Sequence, residues 1–271
     1  MNRKAVFFDA DGTVSHLIKG VPASAEAAIH ALQAKGHLAF LCTGRSRALV
    51  DEPLERIGFD GIIASAGAYL EKDGIVLYNQ ELSCEDARTV LDILRRTGLV
   101  PVMEGKDYMY YDPEEYTNDV DWYAEDITRI LGRKFRTIRD NEDRMFINKI
   151  SAKAVAGSDV AAAVEGLKPW FTAIIHESEG FAGGTVEFVP NGYSKALGMA
   201  VACRLWDIPV KDTVCFGDSN NDLDMLKWAG TSVVMGNAPD HVKKLADYVT
   251  AENDQDGVAK ALEEILDIRI S

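Results

Sequence analysis

Two acidic turns and two further polar groups carry the residue types that could do chemistry. Asp9-Ala10-Asp11-Gly12-Thr13 follows the apolar run Ala5 to Phe8, and Gly217-Asp218-Ser219-Asn220-Asn221-Asp222 follows Thr213 to Phe216. Thr43-Gly44-Arg45 closes another apolar run, Leu38 to Cys42, and Lys195 opens a segment after Asn191-Gly192-Tyr193-Ser194. Apolar runs that stop at polar turns read as strands of a parallel sheet, whose carboxyl ends share one edge. Carboxylates crowded at that edge repel one another unless a cation is present. Asp9, Asp218 and Asp222 therefore predict a hard, oxygen-liganded ion, Mg2+ with several waters retained. Thr43, the Gly44 N–H and Lys195 supply an anion-binding half. A metal ion beside an anion pocket suits phosphoryl transfer, in which positioning and charge neutralisation do most of the work.

Each group also has a plainer reading. The first turn alone is a buried strand ending in an acidic turn. Lys195 alone is a solvated lysine in the first turn of a helix, although a cation is mildly unfavourable there. Thr43 alone is a turn residue, Thr13 closes its own turn, and Asn220 and Asn221 suit turns or helix caps. Arg45 reads as a surface arginine.

The elements that must position these groups alternate. After the first strand, Ala23 to Lys35 reads as a helix opened by Pro22 and Ser24 and stopped at Gly36. A second helix is expected around Ala48, Leu49, Leu54 and Ile57, with a kink or break at Pro53 and a stop at Gly58. Ile62-Ile63 begins a strand, and Ala68 to Leu77 a hairpin about Lys72-Asp73-Gly74. The character then changes. Ser83 and Asp86 have capping-box spacing ahead of Ala87, Val90, Leu91 and Leu94, with a stop at Gly98. Strands are expected at Leu99 to Met103, Asp107 to Tyr111, Met145 to Val155, Phe171 to His176 and Thr185 to Val189. Helical spacing recurs at Val120, Tyr123, Ile127, Ile130 and Leu131, and at Val160 to Leu167. After Pro190 the strand-helix alternation returns, with helices from Ser194 to Leu205, through Leu226, from Pro239, and over Val258 to Leu266, and short strands at Ser232 to Met235 and Tyr248-Val249. The fold class is α/β. Residues 1–81 and 190–271 form a Rossmann-like parallel-sheet core, and residues 82–189 an inserted α+β cap.

Composition narrows the function. The chain has 271 residues, a net charge of −14, 47% hydrophobic residues and 4 cysteines. Such an acid balance argues against nucleic acid and anionic membrane as partners. Cys42, Cys84, Cys203 and Cys215 are widely spaced and read as reduced thiols, which with the lack of a signal-like or membrane-spanning run points to a cytoplasmic protein. Trp122, Trp170 and Trp206 read as core residues.

These motifs resemble the haloacid dehalogenase superfamily, and within it the Cof-like phosphatases with a large cap. The resemblance covers nearly the whole chain: DADGT at Asp9 to Thr13, Thr43 after an apolar strand, Lys195, GDSNND at Gly217 to Asp222, and Gly236-Asn237-Ala238-Pro239. One departure stands out. Cof-like chains usually carry Asn-Gly-Ala after the third strand, where this chain has Ala66-Gly67-Ala68. The resemblance implies that Asp9 attacks phosphorus and becomes an aspartyl-phosphate, and that Asp11 protonates the leaving alcohol and then activates water. It further implies that Mg2+ is held by Asp9, by the Asp11 backbone carbonyl, by Asp218, and by Asp222 directly or through water. Thr43, Gly44, Lys195 and Asn221 would hold the phosphate oxygens, and Lys195 would keep Asp9 ionised.

The expected substrate is a small phosphorylated metabolite, a sugar phosphate foremost, handled by a monomer or small homo-oligomer. Within the cap, Arg129, Arg133, Lys134, Arg136, Arg139, Arg144, Lys149 and Lys153 make a basic run, read either as a solvated face balanced by Asp140, Glu142 and Asp143 or as a lining for an anion. Glu179 or Glu187 could bind sugar hydroxyls. A sugar phosphomutase and a non-catalytic binding protein on the same scaffold are the alternatives; the intact Asp9, Asp11, Lys195 and Asp218 speak against the second.

Overall fold

The computed structural model describes residues 2–16, 19–115, 132–176 and 184–270. The chain divides into two compact units. One comprises Met1–Gly44, Glu52–Tyr78 and Ser194–Ser271, and the other Arg45–Asp51 and Asn79–Tyr193. The segment 45–51, read from the sequence with the first part of the chain, groups with the second unit. Its Ala48 packs there with Val102, Met109 and Tyr111.

The first unit is built on β1 (Ala5–Phe8), β2 (Leu38–Cys42), β3 (Gly61–Ala64), β4 (Tyr69–Lys72), β5 (Ile75–Asn79), β12 (Thr213–Gly217), β13 (Thr231–Val234) and β14 (Tyr248–Val249). Their order is β14-β13-β12-β1-β2-β3-β4-β5. Pairing is parallel from β14 to β3, and β4 returns antiparallel to β3. β1 is central, in register with β12 at Ala5↔Thr213 and with β2 at Ala5↔Leu38. Every residue of β1, β2, β3 and β12 is buried, as continuous apolar runs require when helices cover both faces. Phe40 anchors this core, stacked on Phe7 at 4.9 Å between ring centroids and met edge-on by Trp206 at 5.0 Å.

The second unit holds β6 (Leu99–Glu104), β7 (Met109–Tyr110), β8 (Phe135–Arg136), β9 (Lys149–Ala154), β10 (Phe171–His176) and β11 (Thr185–Pro190), in the order β10-β11-β9-β6-β7-β8. Helices Cys84–Arg96 and Val160–Leu167 add Ala87, Val90, Leu91, Leu94, Ala163 and Leu167 to its core. Ser83 caps the first by accepting the Asp86 N–H, and Trp170 packs on the same core.

The break expected at Pro53 is present, and one strand starts later than the sequence reading has it. The helix drawn through Ala48 to Ile57 is a short 3-10 turn, Arg47–Leu49, and a separate helix, Glu52–Arg56. Pro53 has no N–H to donate backwards, so the helix restarts where a first turn leaves donors unpaired anyway. The strand drawn from Met145 begins only at Lys149. Ahead of it, Asn148 Nδ2 donates to Asn79 Oδ1 and the Gln80 carbonyl, and Ile147 accepts from the Leu82 N–H, so the apolar Met145 and Ile147 reach the core without a ladder. The helical spacing from Val120 to Leu131, Trp122, Arg129 and Glu179 lie outside the described residues. Among those residues, no helix is long and apolar enough to cross a membrane.

His37, just ahead of β2, couples this fold to pH. It is buried, and its Nδ1 accepts the Lys4 backbone N–H at 3.0 Å, which requires an unprotonated nitrogen. Burial, with Lys35 and Lys4 nearby, lowers its pKa from the ordinary 6.5. The unfolded chain therefore takes the proton first as pH falls, and the stability that neutral His37 contributes is present above about pH 6.5 and lost below it. Denaturant unfolding between about pH 7.5 and about pH 5.5 should cost the wild type up to about 1 kcal/mol more than His37→Asn.

Candidate active site

The carboxyl edge of the first unit's sheet gathers the polar groups that the sequence singles out. Asp9 ends β1, 4% exposed, and its N–H continues the ladder to the Phe216 carbonyl of β12 at 3.0 Å. The chain then folds over itself: Ser15 N–H donates to Ala10 O at 2.7 Å and Gly12 N–H to Ser15 O at 2.9 Å. Asp11 stays exposed on this turn. Gly12 takes φ +79°, and a Cβ there would lie 2.2 Å from Asp218 Oδ2. Glycine is required both by the left-handed backbone and by the approach of β12's acidic turn.

Lys195 stands at the centre. It opens the helix Lys195–Leu205 and is 1% exposed. Its Nζ donates to Asp9 Oδ1 at 2.6 Å, to Asp222 Oδ1 at 2.5 Å and to Asn221 Oδ1 at 3.2 Å. Asp222, fully buried, accepts the Asp218 and Ser219 N–H groups on Oδ2 at 2.9 and 3.0 Å. It thus enters the cluster with both oxygens bonded. Asp218 accepts from Thr13 Oγ1 at 3.3 Å and from Asn237 Nδ2 at 3.1 Å.

The electrostatics follow from these positions. Burial opposes the Lys195 charge, but Asp222 and Asp9 outweigh it and hold the ammonium well above the usual lysine range. One ammonium cannot balance three carboxylates. Burial, followed by the Asp222 charge, pushes Asp9 well above the usual carboxylate range, and pushes Asp218 up to about 7. Asp9, Asp218 and Asp222 each offer an oxygen within 4.8 Å of the others. Hard oxygen donors with excess negative charge in a partly buried site fit a divalent cation.

The anion-binding half lies on the same edge. Thr43 is buried just past β2, its N–H bonded to the Ile63 carbonyl. Gly44 follows so close to Asn221 that a Cβ would sit 3.2 Å from Nδ2. The helix bearing Lys195 packs on the turn after β3. Ser65, Ala66 and Gly67 all take positive φ there, and a Cβ on Gly67 would lie 2.0 Å from the Ser194 carbonyl. The position where Cof-like chains carry asparagine is thus an alanine held left-handed at φ +51°, a conformation asparagine tolerates better.

Three contributors were not assigned these places from sequence. Thr13 donates to Asp218 as well as closing its turn. Asn237 bridges the two acidic turns, donating to Gly12 O at 3.0 Å and to Asp218. Asp224 accepts the Ala196 N–H at 2.9 Å, capping the helix whose first residue is Lys195. The Gly236-Asn237-Ala238-Pro239 turn signal marked one of them; a lone Asp at position 224 carried no signal. Elsewhere, Glu187 is engaged by Lys149 at 3.1 Å in the second unit, and Arg45 pairs with Asp51 at 3.5 Å.

Fold and site together define a class: a Rossmann-like α/β protein with an acidic, lysine-bridged cluster at its strand ends. Comparison with known proteins gives the family. The chain belongs to the haloacid dehalogenase-like hydrolases, whose family model matches residues 6–262. YkrA of Bacillus subtilis (strain 168), which carries a provisional phosphatase name, is 30% identical over 98% of both chains. The 5-amino-6-(5-phospho-D-ribitylamino)uracil phosphatase YitU of the same organism is 26% identical over 96% of both. Among solved structures, the subclass IIB sugar phosphatase BT4131 superposes with a TM-score of 0.78 at 26% identity, over 96% of this chain and 98% of that one. The protein is a phosphatase of this family, a hydrolase of phosphomonoesters.

Two measurements probe the cluster. Raised carboxylate pKa values mean that the folded, cation-free protein holds protons the unfolded chain has released, so the cluster lowers stability as pH rises from about 4 toward about 7. A divalent cation relieves that repulsion. Added Mg2+ should therefore raise the melting temperature more at about pH 8 than at about pH 5.5; an equal rise at both would contradict the assignment. Gly12→Ala, which displaces Asp218, should lower kcat by about 100-fold while leaving the far-UV circular dichroism unchanged.

Proposed function

We propose that this chain is a Mg2+-dependent phosphatase that hydrolyses small phosphomonoesters, sugar phosphates foremost, through an aspartyl-phosphate on Asp9. The observation that carries the proposal is the buried Lys195 ammonium bonded to Asp9 beside an exposed Asp11. The relatives support the substrate class: one is named for a ribitylamino phosphate and another as a sugar phosphatase.

Asp9 would attack phosphorus in line with the ester bond. That bond breaks as Asp11 gives its proton to the leaving alcohol. Asp11, now a base, would take a proton from water, which attacks the acyl phosphate to release inorganic phosphate and restore Asp9. Lys195 would orient Asp9, offset part of the burial and repulsion that raise its pKa, and meet the phosphate oxygens with Thr43, the Gly44 N–H and Asn221. Asp9, Asp218, the Asp11 carbonyl and Asp222, the last directly or through water, would hold Mg2+, which neutralises charge on the transferring phosphoryl group. With both oxygens of Asp222 already bonded, the water-mediated contact is the better fit. We assign the chemistry to residues 1–81 and 190–271, and the choice of substrate to the insertion 82–189.

Phosphate release from a panel of phosphomonoesters, with Mg2+ and with a chelator, tests this reading. Wild type should turn over only with the metal, and Asp9→Asn should be slower by at least about 1000-fold. Equal rates for the two proteins would refute the nucleophile, and isomerised product without free phosphate would point to a mutase.

A further inference from the structure

The basic run between residues 133 and 153 does not form one face. Arg139 bonds Glu114 at 2.6 Å, and Lys149 is buried between Glu187 at 3.1 Å and Glu104 at 3.6 Å. Arg95, on a helix of the same unit, is bound by Asp112, Glu115 and Glu142. Acidic partners are therefore plentiful and are spent on these cations. Arg136 and Arg144 stand apart. Arg136 Nη1 donates to the backbone carbonyls of Arg133 and Phe135 at 2.8 and 2.7 Å. Arg144 Nη2 donates to the Asp140 carbonyl at 3.0 Å, and its carboxylate contact among the described residues is Asp143 at 4.0 Å.

Both arginines line an open pocket of about 570 Å3 whose wall includes Tyr108, Tyr110 and Phe135. Arg136 lies over the Tyr108 ring, 4.1 Å from its centroid, and Tyr108 meets Tyr110 edge-on. Asp140, the carboxylate of the lining, already accepts from Thr137 Oγ1 at 2.5 Å. In a chain of net charge −14, this pocket has two cations to one anion among the described residues of its wall. Its volume lies in the range of small-molecule sites, between about 300 and about 1,000 Å3. Guanidinium groups with spare N–H donors recognise phosphate in a forked geometry, and aromatic walls stack planar rings.

We propose that this cavity binds a free mononucleotide-like ligand, a small molecule joining a planar ring to a phosphate anion, with the anion on Arg136 and Arg144 and the ring on the tyrosine and phenylalanine wall. The strongly acidic chain favours a free ligand over a nucleic-acid polymer. The site shares no residue with the acidic cluster.

The test uses the whole enzyme and adenosine 3′,5′-cyclic phosphate, a phosphodiester that offers the acidic cluster no phosphomonoester. Titration calorimetry should show one saturable site. Adenosine and sulfate, which each lack one half of the ligand, should bind at least about tenfold more weakly. Arg136→Gln with Arg144→Gln should weaken binding by at least about tenfold, and Tyr108→Ala by at least about fivefold. Arg144→Gln alone changes an exposed side chain, keeps the fold in any event, and should weaken binding by about threefold. No saturation up to about 10 mM, unchanged affinity in the Arg144→Gln and double variants, or equal affinity for sulfate would each overturn the proposal.

Discussion

The structure of the site depends on one buried ammonium. Lys195 is sealed from water and bonded to carboxylates from two different strand ends, Asp9 after β1 and Asp222 after β12. Neither carboxylate could sit so deep without it, since a buried charge must be paired or neutralised. The same ammonium fixes the distance between the turns, and with it the position of Asp218. Removing it would leave three carboxylates facing one another. The helix it opens is held at its start by Ser194 and Asp224 and lies against a turn with three successive left-handed residues. Local strain in that turn is the cost of bringing the lysine to the sheet edge, and the burial of β1, β2, β3 and β12 stabilises the frame that imposes it.

Much of this was legible in the chain itself. Continuous apolar runs identified the parallel strands, because a strand covered on both faces needs no polar alternation. The acidic turns were readable because the residue after each run is the residue at the sheet edge. Lys195 and Thr43 are each ordinary alone, and their meaning comes from the order of the strands. The contacts of Thr13, Asn237 and Asp224 were not readable for the same reason, although the turn holding Asn237 was marked. They act through hydrogen bonds to partners distant in sequence, and such bonds leave no periodicity behind.

Departures from the sequence reading have local causes. The break expected at Pro53 falls just ahead of it, between Leu49 and Glu52, because a residue without an N–H fits the first turn of a helix. The apolar stretch before Lys149 looked like strand because burial was inferred from residue type. The structure buries Met145 and Ile147 through side-chain contacts, while backbone bonds run from the Leu82 N–H to Ile147 and from the Asn148 N–H to Glu104, and the Asn148 side chain holds Asn79 and Gln80. In the second unit, a run of like charges in sequence was dispersed into ion pairs, a buried network and a cavity wall, since successive residues of turns and strands point in different directions.

The register of the central strand bears on how the protein is made. β1 pairs with β2 a few tens of residues away and with β12 at Ala5↔Thr213. On the ribosome, the first strand leaves the exit tunnel long before its second neighbour is synthesised, with one edge of an apolar strand unsatisfied throughout. The residues of the second unit are complete well before that neighbour arrives. The order of synthesis thus delays the central closure of the sheet, and with it any meeting of Asp9 with Lys195, until the last quarter or so of the chain has been translated. A nascent or truncated chain lacking that quarter would carry Asp9 and Lys195 but neither β12 nor Asp222, the second carboxylate that holds the ammonium in place.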